Sequence, residues 1–246
     1  MQYQKDSKIY EGKAKTVFTI QNQQSVLWMD YKNSLTAFNA QKRGEFDGKG
    51  ATNRQMASVI FRYLKKNNIP NHWVADEGDA AMICKKLDMI PLEVVMRNRV
   101  AGSLAKKFAM EEGAVLEKPL VEFYFKKDEL NDPFISDEQA LWLKAAKSQD
   151  ELEQLKKLGL KINVAMTQFF ERIGLSLVDF KLEFGRILDT GEIVLGDEIS
   201  PDSCRLWDLK TGERMDKDRF RRDLGNVEES YKEVLNRILT VWGKEV

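Results

Sequence analysis

The run Leu177-Val178-Asp179-Phe180-Lys181-Leu182-Glu183-Phe184-Gly185 alternates strictly between apolar and charged residues. Side chains two apart on a strand share a face, so the spacing predicts a strand with Val178, Phe180, Leu182 and Phe184 in a core and Asp179, Lys181 and Glu183 opposite. If Leu188 to Glu192 make a turn, pairing runs with positions summing to about 380, which sets Glu183 across from Asp197 on the same face. At about 5 Å and an effective dielectric of about 20, two carboxylates repel by about 3 kcal/mol, so the geometry asks for a cation. Oxygen ligands with no His or Cys nearby suit Mg²⁺, which takes one or two carboxylates and leaves its other positions to water and phosphate. The alternative is a solvated face on which Lys181 neutralises its neighbours, and a one-residue slip would change the pairing.

The other segments place this strand in an α+β chain. Alternation at 16–20 and 25–29 predicts antiparallel strands, and Trp73–Ala75, Ala80–Cys84 and Leu92–Arg99 read as further ones. Helical spacing from Thr52, with Thr52 or Asn53 as cap, runs until Asn67-Asn68-Ile69-Pro70 stops it. A short helix is expected near Ser103–Glu112. A longer one runs from Ser148 to Ile173, where Leu152, Leu155, Leu158, Ile162, Met166, Phe169, Phe170 and Ile173 form a core stripe. The C-terminal third reads as a hairpin, 177–188 with 193–198, and then helices from about Lys217, capped by Asp216, and from Val227. Strands in hairpin-spaced groups argue against a doubly wound parallel sheet. Two α+β lobes, 1–86 and 87–246, fit best.

Composition narrows the function classes. At 246 residues, 43% hydrophobic and 32% charged, the chain needs no disulfide or metal merely to fold. Lys plus Arg and Asp plus Glu both number 39, so no net field draws it to nucleic acid or an anionic membrane. Cys84 and Cys204 have no CxxC spacing, which fits a reducing cytosol. No apolar leader or spanning run of about 18 residues is visible, so neither secretion nor membrane insertion is expected. His72 is the only histidine and reads as a surface residue in a loop entering a strand.

Two further clusters could bind anions. Tyr10-Glu11-Gly12-Lys13-Ala14-Lys15 places Lys13 and Lys15 on one face, with Gly12 and the small Ala14 admitting a phosphate to the backbone. It is neither a Walker A loop nor GxGxxG, and an exposed basic turn is the alternative. Arg97-Asn98-Arg99-Val100-Ala101-Gly102-Ser103 puts two arginines ahead of a helix capped by Ser103, a site for a phosphate monoester or carboxylate, or surface arginines before an ordinary cap. Arg205 lies in a polar loop beside the proposed metal strand.

With these residues in view, the chain resembles the SAICAR synthetase family of purine biosynthesis. Met89–Ser103 and Leu177–Gly185 look like its two signatures, and YEGKAKTVF, FDGKG, LGDEISPDSCRLWD and MDKDRFR follow the expected order over nearly the whole chain. The resemblance implies a two-lobed ATP-grasp and kinase-like α+β fold with antiparallel sheets and ATP in an interlobe cleft. It implies an ATP-dependent ligase joining carboxyaminoimidazole ribonucleotide (CAIR) to L-aspartate, with Mg²⁺, a homodimer and a cytoplasmic location. Gly12, Lys13, Ala14 and Lys15 would lie along the ATP phosphates, and Lys85 and Leu87 in the segment 84–88 would meet adenine through backbone groups. Glu183 and Asp197 would hold Mg²⁺. Arg97, Ser103 and Arg205 would bind the nucleotide's 5′-phosphate, with Glu93, Asp179 and Lys181 around its imidazole and carboxylate. Lys13, Asp179 and Lys181 are the implied catalytic residues, and Asp179 and Glu93 the candidate bases. The resemblance implies a Ser-Ala-Phe-Asp type of sequence at Thr36-Ala37-Phe38-Asn39, where Asn39 removes a charge. A kinase-like phosphotransferase is disfavoured by the lack of HRD-like and DFG motifs. A catalytically silent nucleotide-binding module would bind ATP without releasing ADP.

Overall fold

A computed structural model describes residues 3–246; Met1 and Gln2, the start of the polar N-terminal stretch, lie outside the described residues. Along the chain come β1 (Lys5–Glu11), β2 (Lys15–Ile20), β3 (Gln23–Tyr31), β4 (Ser34–Ala37), β5 (Lys42–Glu45), α1 (Lys49–Lys66), β6 (Trp73–Glu77), β7 (Ala81–Lys85), β8 (Leu87–Arg99) and α2 (Gly102–Phe108). Then follow β9 (Val115–Phe125), β10 (Phe134–Ile135), α3 (Asp137–Trp142), α4 (Gln149–Glu171), β11 (Leu175–Ile187), β12 (Ile193–Leu195), β13 (Cys204–Asp208), α5 (Asp218–Arg221) and α6 (Val227–Trp242).

The chain forms two compact units, one of residues 1–88, 185–196 and 219–246, the other of 89–184 and 197–218. The sequence division at 86/87 has a single crossing, whereas this one returns twice to the first unit. The reason is packing: α6 buries Tyr231, Val234, Ile238 and Trp242, and Tyr231 and Trp242 meet Phe46 and Tyr63 at ring-centroid distances of 5.5 and 4.8 Å. Periodicity identifies an apolar face but not the surface it covers.

In the first unit the antiparallel order is β1-β2-β3-β7-β6, with α1 burying Met56, Val59, Ile60, Phe61 and Leu64. The helix begins at Lys49 after Gly48, earlier than the hydrophobic pattern suggests, so Thr52 and Asn53 are buried inside it instead of capping it. Gly50 makes this packing possible, since a Cβ there would come within 2.3 Å of the Tyr31 carbonyl oxygen. His72 is also inside, 3% exposed, edge-on to Phe61 with centroids 5.0 Å apart. Its amide donates to the Leu195 carbonyl at 2.9 Å. That partner, distant in sequence, is why a surface loop was expected.

In the second unit β10, β9, β8, β11 and β13 make the sheet, and β12 pairs with the far end of β11 back in the first unit. Leu152, Leu155, Ile162, Met166, Phe169 and Phe170 of the α4 stripe are core, whereas Leu158 is half-buried and Ile173 lies past the helix end; Ser148 caps the helix by accepting from the Glu151 amide at 3.2 Å. Gly159 lets α4 approach β8, for a Cβ there would sit 3.0 Å from Met96 Sδ. Asn98 and Asn163 tie strand to helix through reciprocal amide bonds of 2.9 and 2.8 Å.

Candidate active site

Period-2 geometry puts one charged face across β9, β8, β11 and β13, with register pairs Glu93 and Tyr124, Val95 and Glu122, and Asp179 and Arg205. A register shift between Leu177 and Asp179 leaves Val178 without a β13 partner, so the bulge sets Asp179 against Arg205. Arg97, only 3% exposed, donates from Nε to Glu122 at 2.6 Å, from Nη1 to Asp179 at 2.9 Å, and from Nη2 to Ser103 Oγ and Tyr124 Oη at 2.9 and 3.1 Å. Arg205 donates from Nη1 to both Asp179 oxygens, at 3.0 and 2.8 Å, and from Nε to Asp218 at 2.9 Å. Asp179 thus bridges two guanidinium groups. Charges withdrawn from water are tolerable when they are paired and hydrogen-bonded, as the two guanidinium groups and the carboxylates of Glu122, Asp179 and Asp218 are here. Ser103 does not cap α2; the cap position is Ala101, and the Ser103 hydroxyl faces Arg97.

Further along β11, Lys181 donates to Glu93 at 2.8 Å and to Glu183 at 2.7 Å, while Lys126 pairs with the other Glu183 oxygen. Burial alone would lower the Lys181 ammonium, but Glu183, Glu93 and Asp197 outweigh it and hold it well above the usual lysine range. Burial likewise opposes ionisation of Glu183, yet Lys181 and Lys126 keep its carboxyl below the usual range against the repulsion of Asp197. Glu93 goes the other way, raised by burial in spite of Lys181. Glu183 and Asp197 do interact, but not by strand register: β12 ends at Leu195, and Asp197 lies beyond it in a turn at φ 51°. Turn geometry was not legible in a pairing rule.

These two carboxylates provide hard oxygen donors suited to Mg²⁺, with two ammonium groups meeting their charge. Among the described residues no cluster of three or more His, Cys, Asp or Glu forms a metal cage. A two-carboxylate set fits an ion that takes its other ligands from water and phosphate.

The first unit holds a cavity of about 500 Å³ lined by Gly12, Lys13, Lys32, Ser34, Thr36 and Arg43, among others. Gly12-Lys13-Ala14 connects β1 to β2, and the Ser34 hydroxyl donates to the Lys13 carbonyl at 2.7 Å. Lys13 Nζ donates to Asn39 Oδ1 at 2.6 Å. Asn39 sits between Phe38 and Ala40 in a turn where all three have positive φ, a conformation more accessible to Asn than to most residues. The expected pairing of Lys13 and Lys15 is not kept at this cavity. Lys15 is buried, its ammonium 5.5 Å from the Tyr31 ring centroid, and neither it nor Ala14 lines the space. Lys85 ends β7 and Leu87 begins β8, and the Lys85 and Lys86 amides already donate to the carbonyls of His72 and Ser25.

Glu122, Tyr124, Lys126 and Asp218 were missed in the sequence. The first three recur every second residue in Val121-Glu122-Phe123-Tyr124-Phe125-Lys126, the same signal that exposes β11.

The chain matches the family model for SAICAR synthetase over residues 8–238. It is 50% identical over 233 residues to the phosphoribosylaminoimidazole-succinocarboxamide synthase of Nautilia profundicola, covering 95% of this chain and 98% of that one. The enzyme of the same name from Wolinella succinogenes is 50% identical, with 96% and 99% covered. Among solved structures, the Ehrlichia chaffeensis synthase superposes with a TM-score of 0.91 at 40% identity, over 94% of this chain and 98% of that one. A SAICAR synthetase in complex with ADP superposes at 0.89 and 45% identity, over 93% and 96%.

Proposed function

Because the chain belongs to the SAICAR synthetase family, we propose that its two units supply the parts of one ligase reaction. That reaction is the ATP-dependent joining of CAIR to L-aspartate in purine biosynthesis. The observation carrying the residue assignment is the sequence of side chains on one face of β11. Asp179, Lys181 and Glu183 follow one another every second residue, so the face extends about 13 Å from the arginine cluster to the Glu183 end. A phosphorylated ribose at one end and a carboxylated imidazole toward the other match that order of charges.

Arg97, Ser103 and Arg205 take the 5′-phosphate of CAIR, and Lys181 orients its carboxylate. A carboxylate is a poor acyl electrophile, and phosphorylation by ATP makes a carbonyl that aspartate's amine can attack, with phosphate leaving. Lys13 at the first unit's cavity offsets charge on the transferring phosphoryl group, and Gly12, Ala14 and Lys15 shape the loop around it. Lys85 and Leu87 meet adenine through the backbone groups of their segment that remain after the Lys85 and Lys86 amides are engaged. Glu183 and Asp197 would hold Mg²⁺, which when bound neutralises phosphate charge. Asp179 has both oxygens tied to arginines, which leaves Glu93, its carboxyl raised by burial, as the better-placed proton acceptor for the amine.

We place the enzyme in the cytoplasm as a homodimer acting on small molecules. The lack of CxxC spacing around the buried Cys84 and Cys204 supports a reducing compartment. The homodimer rests on family resemblance. The test is ADP release that requires both CAIR and aspartate, with ¹⁸O from the CAIR carboxylate appearing in inorganic phosphate as product forms. Unlabelled phosphate at normal turnover would sink the acyl-phosphate route, and equal use of glutamate would sink the aspartate specificity.

A further inference from the structure

Met215-Asp216-Lys217-Asp218-Arg219-Phe220-Arg221 contributes to the family resemblance but has no role in the reaction as assigned above. Within it Asp216 and Asp218 are 0% and 1% exposed, and buried carboxylates persist only where they are paired or hydrogen-bonded. Asp216 accepts from the Leu206 amide at 2.8 Å and from the Asp218 amide at 2.6 Å. It thereby ties β13 to the start of α5. Asp218, held by that tie, accepts from Arg205 Nε at 2.9 Å, while Asp179 takes Nη1. Nη2 is the remaining nitrogen, and it lies against Gly102, where a Cβ would come within 2.5 Å of it. A guanidinium is planar, so fixing Nε and Nη1 fixes the direction in which Nη2 points.

We propose that Asp218, with Asp216 behind it, is a positioning residue for the ribonucleotide's phosphate, holding the Arg205 fork so that Nη2 is aimed before substrate arrives. The proposal rests on the assignment of Arg205 to that phosphate. With Asp218 lost, the fork is held along one edge and must be ordered by the ligand. A residue serving only to neutralise buried charge would instead lower stability without discriminating between substrates.

The test uses the full chain with Asp218→Asn, Asp218→Glu, Asp216→Asn and Arg205→Ala. It measures KM for CAIR and for ATP, together with calorimetric binding of CAIR and of its nucleoside lacking the phosphate. Asp218→Asn is expected to raise KM for CAIR about tenfold, the effect of losing one charge-assisted hydrogen bond. KM for ATP and nucleoside binding should stay within about twofold, and Asp218→Glu should recover part of the loss. Asp218→Asn added to Arg205→Ala should have no further effect on CAIR, because its route to the phosphate is gone. Asp216→Asn should act in the same direction but less strongly. If thermal melts show it unfolded, the Asp218 variants decide. Unchanged KM for CAIR in Asp218→Asn, alongside a raised KM in Arg205→Ala, would overturn the positioning role and leave the phosphate site standing. No change in either variant would overturn both.

Discussion

The two proposed anion sites are built in different ways. In the second unit, the buried Arg97 and the half-buried Arg205 sit among carboxylates that fix each fork before a ligand arrives. In the first, Lys13 is exposed and its ammonium lies on the neutral amide of Asn39. A phosphate monoester carried unchanged through a reaction is well served by rigid, planar donors. A phosphoryl group whose charge shifts as it transfers is better followed by an ammonium on a flexible stem. Rigidity has a stability consequence that the lysine site lacks.

The sharpest break of this contrast would be Asp179→Ala, which leaves the buried Arg97 and the half-buried Arg205 each short of a partner. It should lower unfolding free energy by about 3–5 kcal/mol in denaturant titrations. Lys13→Ala should leave the denaturation midpoint where it is and lower kcat about 10²-fold. Equal stability losses in the two variants would mean that the sites are built alike.

Next in size is Glu183→Gln. A bare carboxylate pair would be relieved by neutralising one member, but Glu183 is bound by Lys181 and Lys126. Without metal the variant should therefore lose about 1–3 kcal/mol, and a gain in calorimetric stability would restore the simpler picture of two repelling carboxylates.

A third comparison uses pH. Burial and the neighbouring Asp218 push Asp216 up to about 7 from an ordinary value of 3.8. The folded state then binds this proton more tightly than the unfolded chain. Its contribution is fully present below about 3.8 and is lost as pH rises through about 7, with a slope of at most about 1.4 kcal/mol per pH unit. Glu183 has the opposite sign: its carboxyl is lowered, so its contribution is present above 4.5 and lost as pH falls through the folded value. Between pH 8 and pH 5.5, wild type should gain stability relative to Asp216→Asn. A difference independent of pH across that interval would contradict the shift. The smallest effect is expected from Asn39→Ala, which removes the acceptor of Lys13 and should change KM for ATP less than about threefold.

Local periodicity made much of this legible. The alternation in 177–185 assigned the correct faces to β11, and most of the α4 stripe followed from helical spacing. What the sequence withheld were the questions of partner. Glu122, Tyr124 and Lys126 alternate visibly, but only the β8–β9 register brings them to Arg97 and Glu183. His72 looked exposed because the strand end at Leu195 that covers it is remote in the chain. Glu183 and Asp197 were correctly brought near each other for an incomplete reason, since a turn and not a ladder does so.

The return of α6 to α1 bears on how the chain is made. During synthesis a compact N-terminal unit ordinarily closes while later residues are still being added. Here residues 1–88 lack their covering helix until Tyr231 and Trp242 have emerged to reach Phe46 and Tyr63. The second unit has all its strands and α4 by residue 208. The order of completion on the ribosome therefore runs against the order of the sequence, and the part of α1 that meets α6, not the part packed on β3, β6 and β7, stays uncovered longest, open to a chaperone in the interval.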